Sequence, residues 1–461
     1  MTEFHCEHAL IETGWASGVT IFCGPEGRIT QIVTDRTPSA KAIRLGIVVP
    51  GMSNLHSHAF QRGMAGLTER RGAGEDSFWS WRNLMYRFLD QLQPDDVEAI
   101  AALAYCEMLE AGFTRVAEFH YLHHGIDGSP YDDPAEMAAH ICAAAEQTGI
   151  GLTLLPVFYR WAGFNKAEPG PGQQRFINDL DTYEDLWISA ARHVGDLQRG
   201  NIGCAPHSLR AAAIDEISTL RDLHKEAPFH IHIAEQEKEV ADCIAANGAR
   251  PVELLMRELE VDERWCLVHA THLNPQEIGA LASSGAIAGL CPLTEANLGD
   301  GIFPARDYLA AGGRFGIGSD SHIRIDLAEE LRLLEYGQRL ILRQRNILTG
   351  TGKSTGRQIF EAALNGGAQA CGSSTHAIAI GHHADLVELD NQAPIFAARS
   401  GDAILDSWIF SGDGRAVRSN YVSGKAVVRD GACLIRQEVE TRYRHAIERV
   451  TGQVGRYDYD R

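Results

Sequence analysis

The chain has 461 residues, 44% of them hydrophobic, and carries a formal net charge of -19. At roughly 100–200 residues per domain, this length predicts two or three domains, or one large barrel with an accessory module. The strong negative charge argues against a nucleic-acid partner, because such a surface repels the phosphate backbone.

The N-terminal segment MTEFHCEHALIETGW contains no basic stretch followed by an apolar one, so we expect no signal peptide. The chain also has no run of about 18 apolar residues, so we expect no membrane partner. Its ten cysteines form no Cys-x-x-Cys pair, and several stand in apolar or helical stretches. These features predict a cytoplasmic protein with reduced, buried cysteines.

The two ends of the chain have a similar β-rich texture. Near the N-terminus, WASGVTIFCGPEGRITQIVTD alternates apolar and polar residues across a Pro-Glu-Gly turn, which predicts a hairpin. Near the C-terminus, HHADLVELD and AVRSNYVSGKAVVRDGACLI show the same pattern, and QEVETRYRHAIERVTGQV then has helical spacing. We expect both ends, residues 1–50 and 375–461, to build one small β module.

The middle of the chain, residues 51–374, repeats a short apolar strand, a polar loop and an amphipathic helix. The eight predicted strands are GIVVPGMSNLHSH, FTRVAEFHY, IGLTLLPVFYR, NIGCAPHSLR, PFHIHIAEQ, WCLVHATHL, AIAGLCPLTE and RFGIGSDSH. Near-continuous apolar strands that alternate with helices predict parallel pairing. Eight such units fit an α/β fold of the (β/α)8 TIM-barrel type, and a doubly wound open sheet is the alternative.

Polar residues recur at the C-terminal ends of these strands, the face on which barrel enzymes build their sites. They are His56 and His58 on strand one, Glu118 and Tyr121 on strand two, His207 and Arg210 on strand four, His232 and Glu235 on strand five, His269 and His272 on strand six, and Asp320 and His322 on strand eight. The sequence therefore predicts one functional site at this face.

The His-x-His pair predicts a metal site. Residues i and i+2 of a strand point to the same side, so His56 and His58 can aim two imidazoles at one point. Imidazole is a common ligand for zinc and iron. Two exposed loop histidines would be the alternative, but His232 and Asp320 are expected at the same face. Three histidines and an aspartate leave room for a water, as catalytic sites do.

Several of these side chains have a simpler interpretation that the sequence leaves open. His230 and His232 share a strand face, and His232 is the predicted ligand because it lies nearer the strand end. Glu235 is the predicted proton carrier, although it could instead be a solvated carboxylate at a helix start. His269 could be a core histidine bonded to a carbonyl group. Asp320 could be a helix N-cap.

The segments PGMSNLHSH, HIHIAEQ, LVHATHL, GIGSDS and GHHADLVELD together resemble the amidohydrolase superfamily. The resemblance spans nearly the whole chain and implies a TIM barrel flanked by a β-sandwich domain made of both termini. The predicted fourth strand, NIGCAPHSLR, lacks the lysine that is carboxylated in binuclear members. The mononuclear deaminase branch is therefore the nearer one, which implies one divalent metal, Zn2+ or alternatively Fe2+.

Within that branch, LHSHAFQRGMAGLTE, FWSWRNLMYRF, EFHYLHH, APHSLR and DSHIRIDLAEELRLLEYGQRL resemble the members that hydrolyse N-formimino-L-glutamate to N-formyl-L-glutamate and ammonia in histidine degradation. The expected reaction is attack of metal-bound hydroxide on the formimino carbon. Asp320 would take the proton of the water, His269 would orient the hydroxide, and Glu235 would protonate the departing nitrogen. Dimers are common among such proteins, so we expect a homodimer.

A dicarboxylate substrate needs cationic and hydroxyl donors, and arginine presents a fork that matches a carboxylate. The candidate substrate-binding residues are Gln61, Arg82, Tyr121, His207 and Arg210. Each arginine could instead be an ordinary surface charge.

Two other functions stay open at this point. A guanine or other nucleobase deaminase would want stacking aromatic side chains, which Phe78, Trp79 and Trp81 could supply. A non-catalytic metal-binding barrel is the second, although the complete set of polar strand-end residues argues against it.

Overall fold

The chain forms one mixed sheet and two parallel sheets in a computed structural model that describes residues 1–69, 78–413 and 415–453. The strands are β1 (Thr2–Ile11), β2 (Gly14–Cys23), β3 (Ile29–Val33), β4 (Ile43–Pro50), β5 (Met52–Ser57), β6 (Phe113–His120), β7 (Gly151–Phe158), β8 (Gly200–Ile202), β9 (Ala205–Pro206), β10 (Phe229–Ile233), β11 (Trp265–His269), β12 (Ile287–Leu290), β13 (Arg314–Ile317), β14 (Leu386–Leu389), β15 (Val417–Val422), β16 (Lys425–Arg429) and β17 (Ala432–Cys433).

Helices connect most of these strands, as the alternating pattern of the sequence predicts. They are α1 (Phe78–Leu89), α2 (Pro94–Ala111), α3 (Glu136–Thr148), α4 (Leu180–Gly195), α5 (Ile214–Leu223), α6 (Glu237–Asn247), α7 (Pro251–Glu258), α8 (Pro275–Ser284), α9 (Pro292–Leu298), α10 (Ala305–Ala310), α11 (Leu327–Leu342), α12 (Thr355–Ala370), α13 (Ala403–Ser411) and α14 (Arg436–Gln453). Short 3-10 helices cover Ala59–Met64, Pro171–Gln173 and Pro394–Phe396. None of the helices in these described ranges has the length and apolar composition needed to cross a bilayer.

The mixed sheet contains strands from both ends of the chain, in the order β17-β16-β15-β14-β4-β1-β2-β3. The two ends meet where β14 runs antiparallel to β4, with Leu386 opposite Pro50. Buried side chains such as Phe4, Ile21 and Leu386 pack into one apolar cluster on this sheet. The two ends therefore share one sheet, while its arrangement as a sandwich stays a prediction.

The middle of the chain forms the parallel sheets, which confirms the parallel α/β interpretation. The strands β5-β6-β7-β8 form one sheet, with β9 also paired to β7, and β10-β11-β12-β13 form the other. Isolated parallel bridges link the two sheets at both sides, through Ser57 and Asp320 and through Ser208 and His232. Strands β6 and β7 are buried along their whole lengths, so the main core lies around them.

The first predicted strand, GIVVPGMSNLHSH, is divided in two. Its first half forms the C-terminal part of β4 in the mixed sheet, and its second half forms β5 in a parallel sheet. The break falls at Gly51, whose amide donates to the Asp385 carbonyl at 3.1 Å. A Cβ at Gly51 would overlap the side chain of Thr114, so the change of sheet occurs where this side chain packs directly against the Gly51 backbone. The predicted fourth strand is likewise broken, into β8 and β9.

Cap residues fix where the helices begin and end, and thereby where the next strand starts. Helix α8 begins at Asn274, whose side chain accepts from the amide of Glu277 at 2.9 Å. It ends at Gly285, whose φ of +81° is readily adopted only without a side chain. Strand β12 follows two residues later. All ten cysteines are buried, and none forms a disulfide.

Replacing Gly366 of α12 by alanine should lower the free energy of unfolding by about 1–3 kcal/mol or more, because an added Cβ would overlap the Phe315 carbonyl of β13. Gly279 of α8 is the matched control, since a Cβ there meets nothing within 4 Å. G279A should raise stability by up to about 1 kcal/mol. Urea denaturation at fixed metal content measures both. Equal stability of G366A and the parent would contradict this packing.

Candidate active site

A pocket of about 590 Å³, including its open mouth, lies at the C-terminal ends of the parallel strands. The predicted site residues that line it are His58, Gln61, Arg82, Tyr121, His207, Arg210, His232, Glu235, His269 and Asp320. His56 lies behind this surface and is fully buried. The structure thus brings most of the strand-end residues together, although they come from segments far apart in the sequence. Glu118, His272 and His322 do not line the pocket.

Three imidazole nitrogens converge at the base of the pocket. The Nε2 atom of His56 lies 3.2 Å from Nε2 of His58 and 3.0 Å from Nε2 of His232. The Asp320 carboxylate closes the group, with Oδ1 at 3.5 Å from His56 Nε2 and 3.4 Å from His58 Nε2. Two nitrogen lone pairs cannot stay this close in a dry interior without a cation or proton between them.

The donor set matches a metal centre in spacing as well as in chemistry. Two ligands of a tetrahedral zinc, each about 2.0–2.1 Å from the ion, lie about 3.3 Å apart. The His56–His58 and His56–His232 separations are within a few tenths of an ångström of that value. Two overlapping groups, His56–His58–Asp320 and His56–His232–His269, each have their ligand atoms within 4.8 Å of one another, so this cluster can hold a divalent metal. The set of His56, His58, His232 and Asp320 as its ligands stays a prediction.

Backbone carbonyls orient two of the imidazoles. The Nδ1–H group of His58 donates to the Phe119 carbonyl at 2.9 Å, and that of His232 donates to the His207 carbonyl at 3.0 Å. These bonds fix the tautomer that leaves Nε2 as the ligand atom. Burial lowers the pKa of His58 to about 3 and lowers the pKa values of His56 and His232 as well. All three rings are therefore neutral, the form that binds metals.

Glu235 and His269 flank the metal-binding group on the pocket side. His269 Nε2 lies 3.9 Å from Glu235 Oε1 and 3.7 Å from Asp320 Oδ2. Burial raises the pKa of Glu235 to about 7, even though His269 and Arg210 oppose the change. A carboxyl group with this pKa exchanges protons readily near neutral pH. Burial alone lowers the pKa of His269, but the surrounding carboxylates outweigh it and raise that pKa to about 10.

The geometry bears on each alternative that the sequence left open. Glu235 is buried and lies outside α6, which begins at Glu237. The N-cap of the helix after β13 is Asp326 rather than Asp320. His269 directs Nδ1 to the Glu295 carboxylate at 3.3 Å rather than to a carbonyl group. His230, the other candidate in HIHIAEQ, donates from Nε2 to the Ala370 carbonyl at 2.7 Å, away from the cluster.

The backbone is strained where these strands end. Ala234, His269 and Asp320 have φ values of +51°, +66° and +45°, a region that non-glycine residues rarely adopt. Each costs on the order of 1–3 kcal/mol and persists only when its surroundings hold it. The Glu239 carboxylate holds one of these turns by accepting from the amides of Ala234 and Glu235 at 3.2 and 3.1 Å.

The candidate substrate-binding residues surround the mouth of the pocket. Gln61 donates from Nε2 to the Tyr121 hydroxyl at 3.0 Å, and His207 Nδ1 lies 3.1 Å from the Ser208 hydroxyl. The guanidinium of Arg82 lies 5.6 Å from the centre of the Tyr86 ring. Burial alone lowers the pKa of Arg210, but nearby carboxylates outweigh it and raise that pKa, so this partly buried side chain stays cationic.

Sequence reasoning passed over two side chains of this site. Glu295 accepts from His269 and also from the Cys291 amide at 2.8 Å, so it fixes the orientation of the His269 ring. Tyr159 lines the pocket, and its hydroxyl accepts from Gln173 at 2.7 Å. Both follow predicted strands, in CPLTE and PVFYR. The strand-end rule applied to strands three and seven would have found them.

Comparisons with known proteins agree with this geometry. A relative from Pseudomonas aeruginosa named formimidoylglutamate deiminase is 50% identical over 456 residues, covering 98% of this chain and 100% of the relative. The Amidohydrolase family matches residues 47–427. The chain belongs to the amidohydrolase family. The resemblance read from the sequence motifs is therefore confirmed.

Solved structures of amidohydrolases share the fold. An amidohydrolase from Brucella melitensis is 48% identical and superposes with a TM-score of 0.95, covering 98% of this chain and 100% of that one. An adenosine deaminase from Xanthomonas campestris, solved with bound zinc, superposes with a TM-score of 0.82 at 21% identity, covering 98% of each chain. The second likeness is one of fold alone.

Replacing His232 by asparagine should abolish stoichiometric metal binding, because one of three converging nitrogens is lost. The matched control is H230N, two residues earlier on the same strand. The H230N variant should keep the metal and lose only folding stability, because His230 donates a hydrogen bond to the Ala370 carbonyl. Elemental analysis after dialysis against metal-free buffer measures the outcome. Metal retained by H232N and lost by H230N would reverse the ligand assignment.

Proposed function

We propose that this amidohydrolase is a metal-dependent hydrolase that converts N-formimino-L-glutamate and water to N-formyl-L-glutamate and ammonia. One observation carries the proposal: a single pocket presents the metal-binding group and Glu235 together with two guanidinium groups, those of Arg82 and Arg210. The metal-binding group and Glu235 suit hydrolysis of an amidine, and the two guanidinium groups suit binding of a dicarboxylate. The name of the P. aeruginosa relative, which matches along nearly the whole chain, supports the same reaction.

The metal of this proposal is Zn2+, with Fe2+ as the alternative. His56, His58 and His232 would hold it, together with Asp320, a nitrogen-rich donor set that suits either ion. When bound, the metal supplies Lewis acidity and lowers the pKa of a water ligand toward neutrality.

The side chains around the metal-binding group divide the proton transfers. Asp320 turns Oδ2 toward His269 while Oδ1 faces the ligand nitrogens, so it is placed to accept a proton from the attacking water. Glu235 faces the same His269 nitrogen, Nε2, at 3.9 Å, and is placed to deliver a proton to the departing nitrogen. His269 presents a cationic ring, which stabilises negative charge on the oxygen that adds to the formimino carbon.

The arginines account for the choice of substrate. N-formimino-L-glutamate carries two carboxylates, and each matches a guanidinium fork. We assign them to Arg82 and Arg210, with Gln61, Tyr121 and His207 as neutral donors along the pocket wall. Burial lowers the pKa of His207, and the charges of Arg210 and Arg82 lower it further, so both guanidinium groups act on this ring.

A nucleobase deaminase is the second candidate, because aromatic side chains line the pocket. Trp81, Tyr86 and Phe176 are among them, while the side chains of Phe78 and Trp79 lie outside the described residues. A neutral purine, however, does not require two cationic groups beside it. A non-catalytic barrel is disfavoured because burial tunes Glu235 to the proton-transfer range beside a complete donor set.

We further propose that the parallel strands close into a (β/α)8 barrel spanning residues 51–374. The bridges between Ser57 and Asp320 and between Ser208 and His232 support closure on both sides. Residues 1–50 and 375–461 would form the β-sandwich domain. A cytoplasmic homodimer without nucleic-acid or membrane partners is the proposed working form, and light scattering tests its mass.

Replacing Glu235 by glutamine should lower kcat about 10²- to 10⁴-fold, because a proton carrier is lost. KM should change little, since the amide keeps the size of the side chain. Steady-state ammonia release from metal-loaded protein measures both constants. An unchanged kcat with stoichiometric metal would remove Glu235 from the proposed chemistry.

Replacing Arg210 by methionine should lower kcat/KM for N-formimino-L-glutamate roughly 30- to 4,000-fold, as expected for loss of a buried charge pair worth about 2–5 kcal/mol. R306M is the control, because Arg306 is half exposed and pairs with its neighbour Asp307. The parent should release ammonia from the glutamate compound in preference to N-formimino-L-aspartate or guanine. Faster turnover of guanine that survives R210M would favour the nucleobase alternative.

A further inference from the structure

A buried chain of hydrogen bonds runs behind the metal-binding group. Ser57, the residue between the two histidines of the His-x-His motif, donates its hydroxyl to Glu118 Oε2 at 2.5 Å. The other oxygen, Oε1, accepts from the amide of Ala59 at 2.7 Å. The Glu118 carboxylate therefore fixes the polypeptide at two points, one inside the His-x-His motif and one just after it. The Tyr105 hydroxyl of α2 adds a third donor to Glu118 at 3.2 Å.

The series of hydrogen bonds continues from Ser57 toward the turn that carries Asp320. Ser57 Oγ lies 2.9 Å from His322 Nε2, and His322 Nδ1 lies 3.0 Å from the Ser319 hydroxyl. Asn54 completes the connection, because its Nδ2 group donates to Ser319 Oγ at 2.5 Å and its Oδ1 accepts from the Ser319 amide at 3.1 Å. The side chains that form the chain are at most 1% exposed.

One assignment of donors and acceptors gives every polar group of this network a hydrogen-bond partner. The single hydroxyl proton of Ser57 goes to the carboxylate, so Nε2 of His322 must carry a proton and donate it to Ser57 Oγ. Nδ1 of His322 is then an acceptor and takes the hydroxyl proton of Ser319. A buried network in which each group is satisfied is rigid, because any rotation leaves a polar group unpaired at low dielectric.

His322 lies at the strained turn that carries Asp320. Asp320 and His322 have φ values of +45° and +57°. The Asp320 amide donates to the His56 carbonyl at 3.0 Å, and the His58 amide donates to the Asp320 carbonyl at 3.1 Å. Arg62 donates to the His322 carbonyl at 3.0 Å. The network thus ties the two ligand-bearing segments to each other.

We infer that Glu118 and His322 are positioning residues, which set the spacing between the His-x-His pair and Asp320 and thereby the affinity and geometry of the metal centre. Neither residue lines the pocket, so neither touches the substrate. The inference rests on the metal centre of the proposed function. A merely structural network would change the stability of the fold and leave metal affinity unaltered.

The test compares E118Q, S57A and H322Q with the parent protein. Zinc affinity is measured by competition with a chelating dye, and geometry by the visible absorption of the Co2+-loaded protein. We expect the Zn2+ Kd of E118Q and S57A to rise about 10- to 100-fold, with a changed Co2+ spectrum. H322Q should lose less zinc affinity than E118Q or S57A, because a glutamine amide can still donate to Ser57.

Glu388 provides the matched control. It is a buried glutamate in the terminal sheet, and it accepts from the Gly46 amide at 2.9 Å. E388Q should lose stability while its Kd for Zn2+ and its Co2+ spectrum stay within error of the parent. Urea unfolding of the metal-free proteins separates stability from affinity.

Unchanged Kd values and spectra in both E118Q and S57A would overturn the inference, whatever their stability. If E118Q does not fold, S57A and H322Q decide by the same measurements. A parent protein that binds neither Zn2+ nor Co2+ would instead overturn the metal centre of the proposed function. The two failures are therefore distinguishable.

Discussion

The structure of the site depends on the buried Nε2 atom of His56, which lies 3.2 Å from that of His58 and 3.0 Å from that of His232. Neutral imidazoles that present lone pairs to each other repel, so the arrangement favours a cation or a proton between the nitrogens. His58 and His232 are held in this orientation by carbonyl groups of neighbouring strands. The parallel strands β5, β6 and β10 and the strained turn after β13 bring these side chains to one place.

The pocket reverses the electrostatics of the protein as a whole. The chain carries a net charge of -19, which by itself repels a dianionic substrate. Arg82 and Arg210 place positive charge in the pocket, and Arg210 is partly buried near Glu239 and Glu235. Their carboxylates raise the pKa of the guanidinium and keep it charged. Binding and chemistry thus use charges of opposite sign within one pocket.

Family membership and pocket geometry support different parts of the functional conclusion. Membership of the amidohydrolases accounts for the metal and for hydrolysis, because the matched region contains every candidate ligand. The proposed substrate class rests instead on side chains outside the metal-binding group, above all Arg82 and Arg210. Relatives with the same fold include a zinc-bound adenosine deaminase, so the fold alone does not select a substrate.

Local patterns in the sequence determined the parallel α/β organisation, the strand ends and the direction of the His-x-His pair, because strand and helix periodicities depend on neighbouring residues. They favoured His232 over His230 only because it lies nearer the strand end, and the tertiary structure shows that His230 donates to the Ala370 carbonyl instead. They also could not show that Glu118, Ser57 and His322 form one network. Those contacts join segments more than sixty residues apart, and only the register between strands decides which side chains meet.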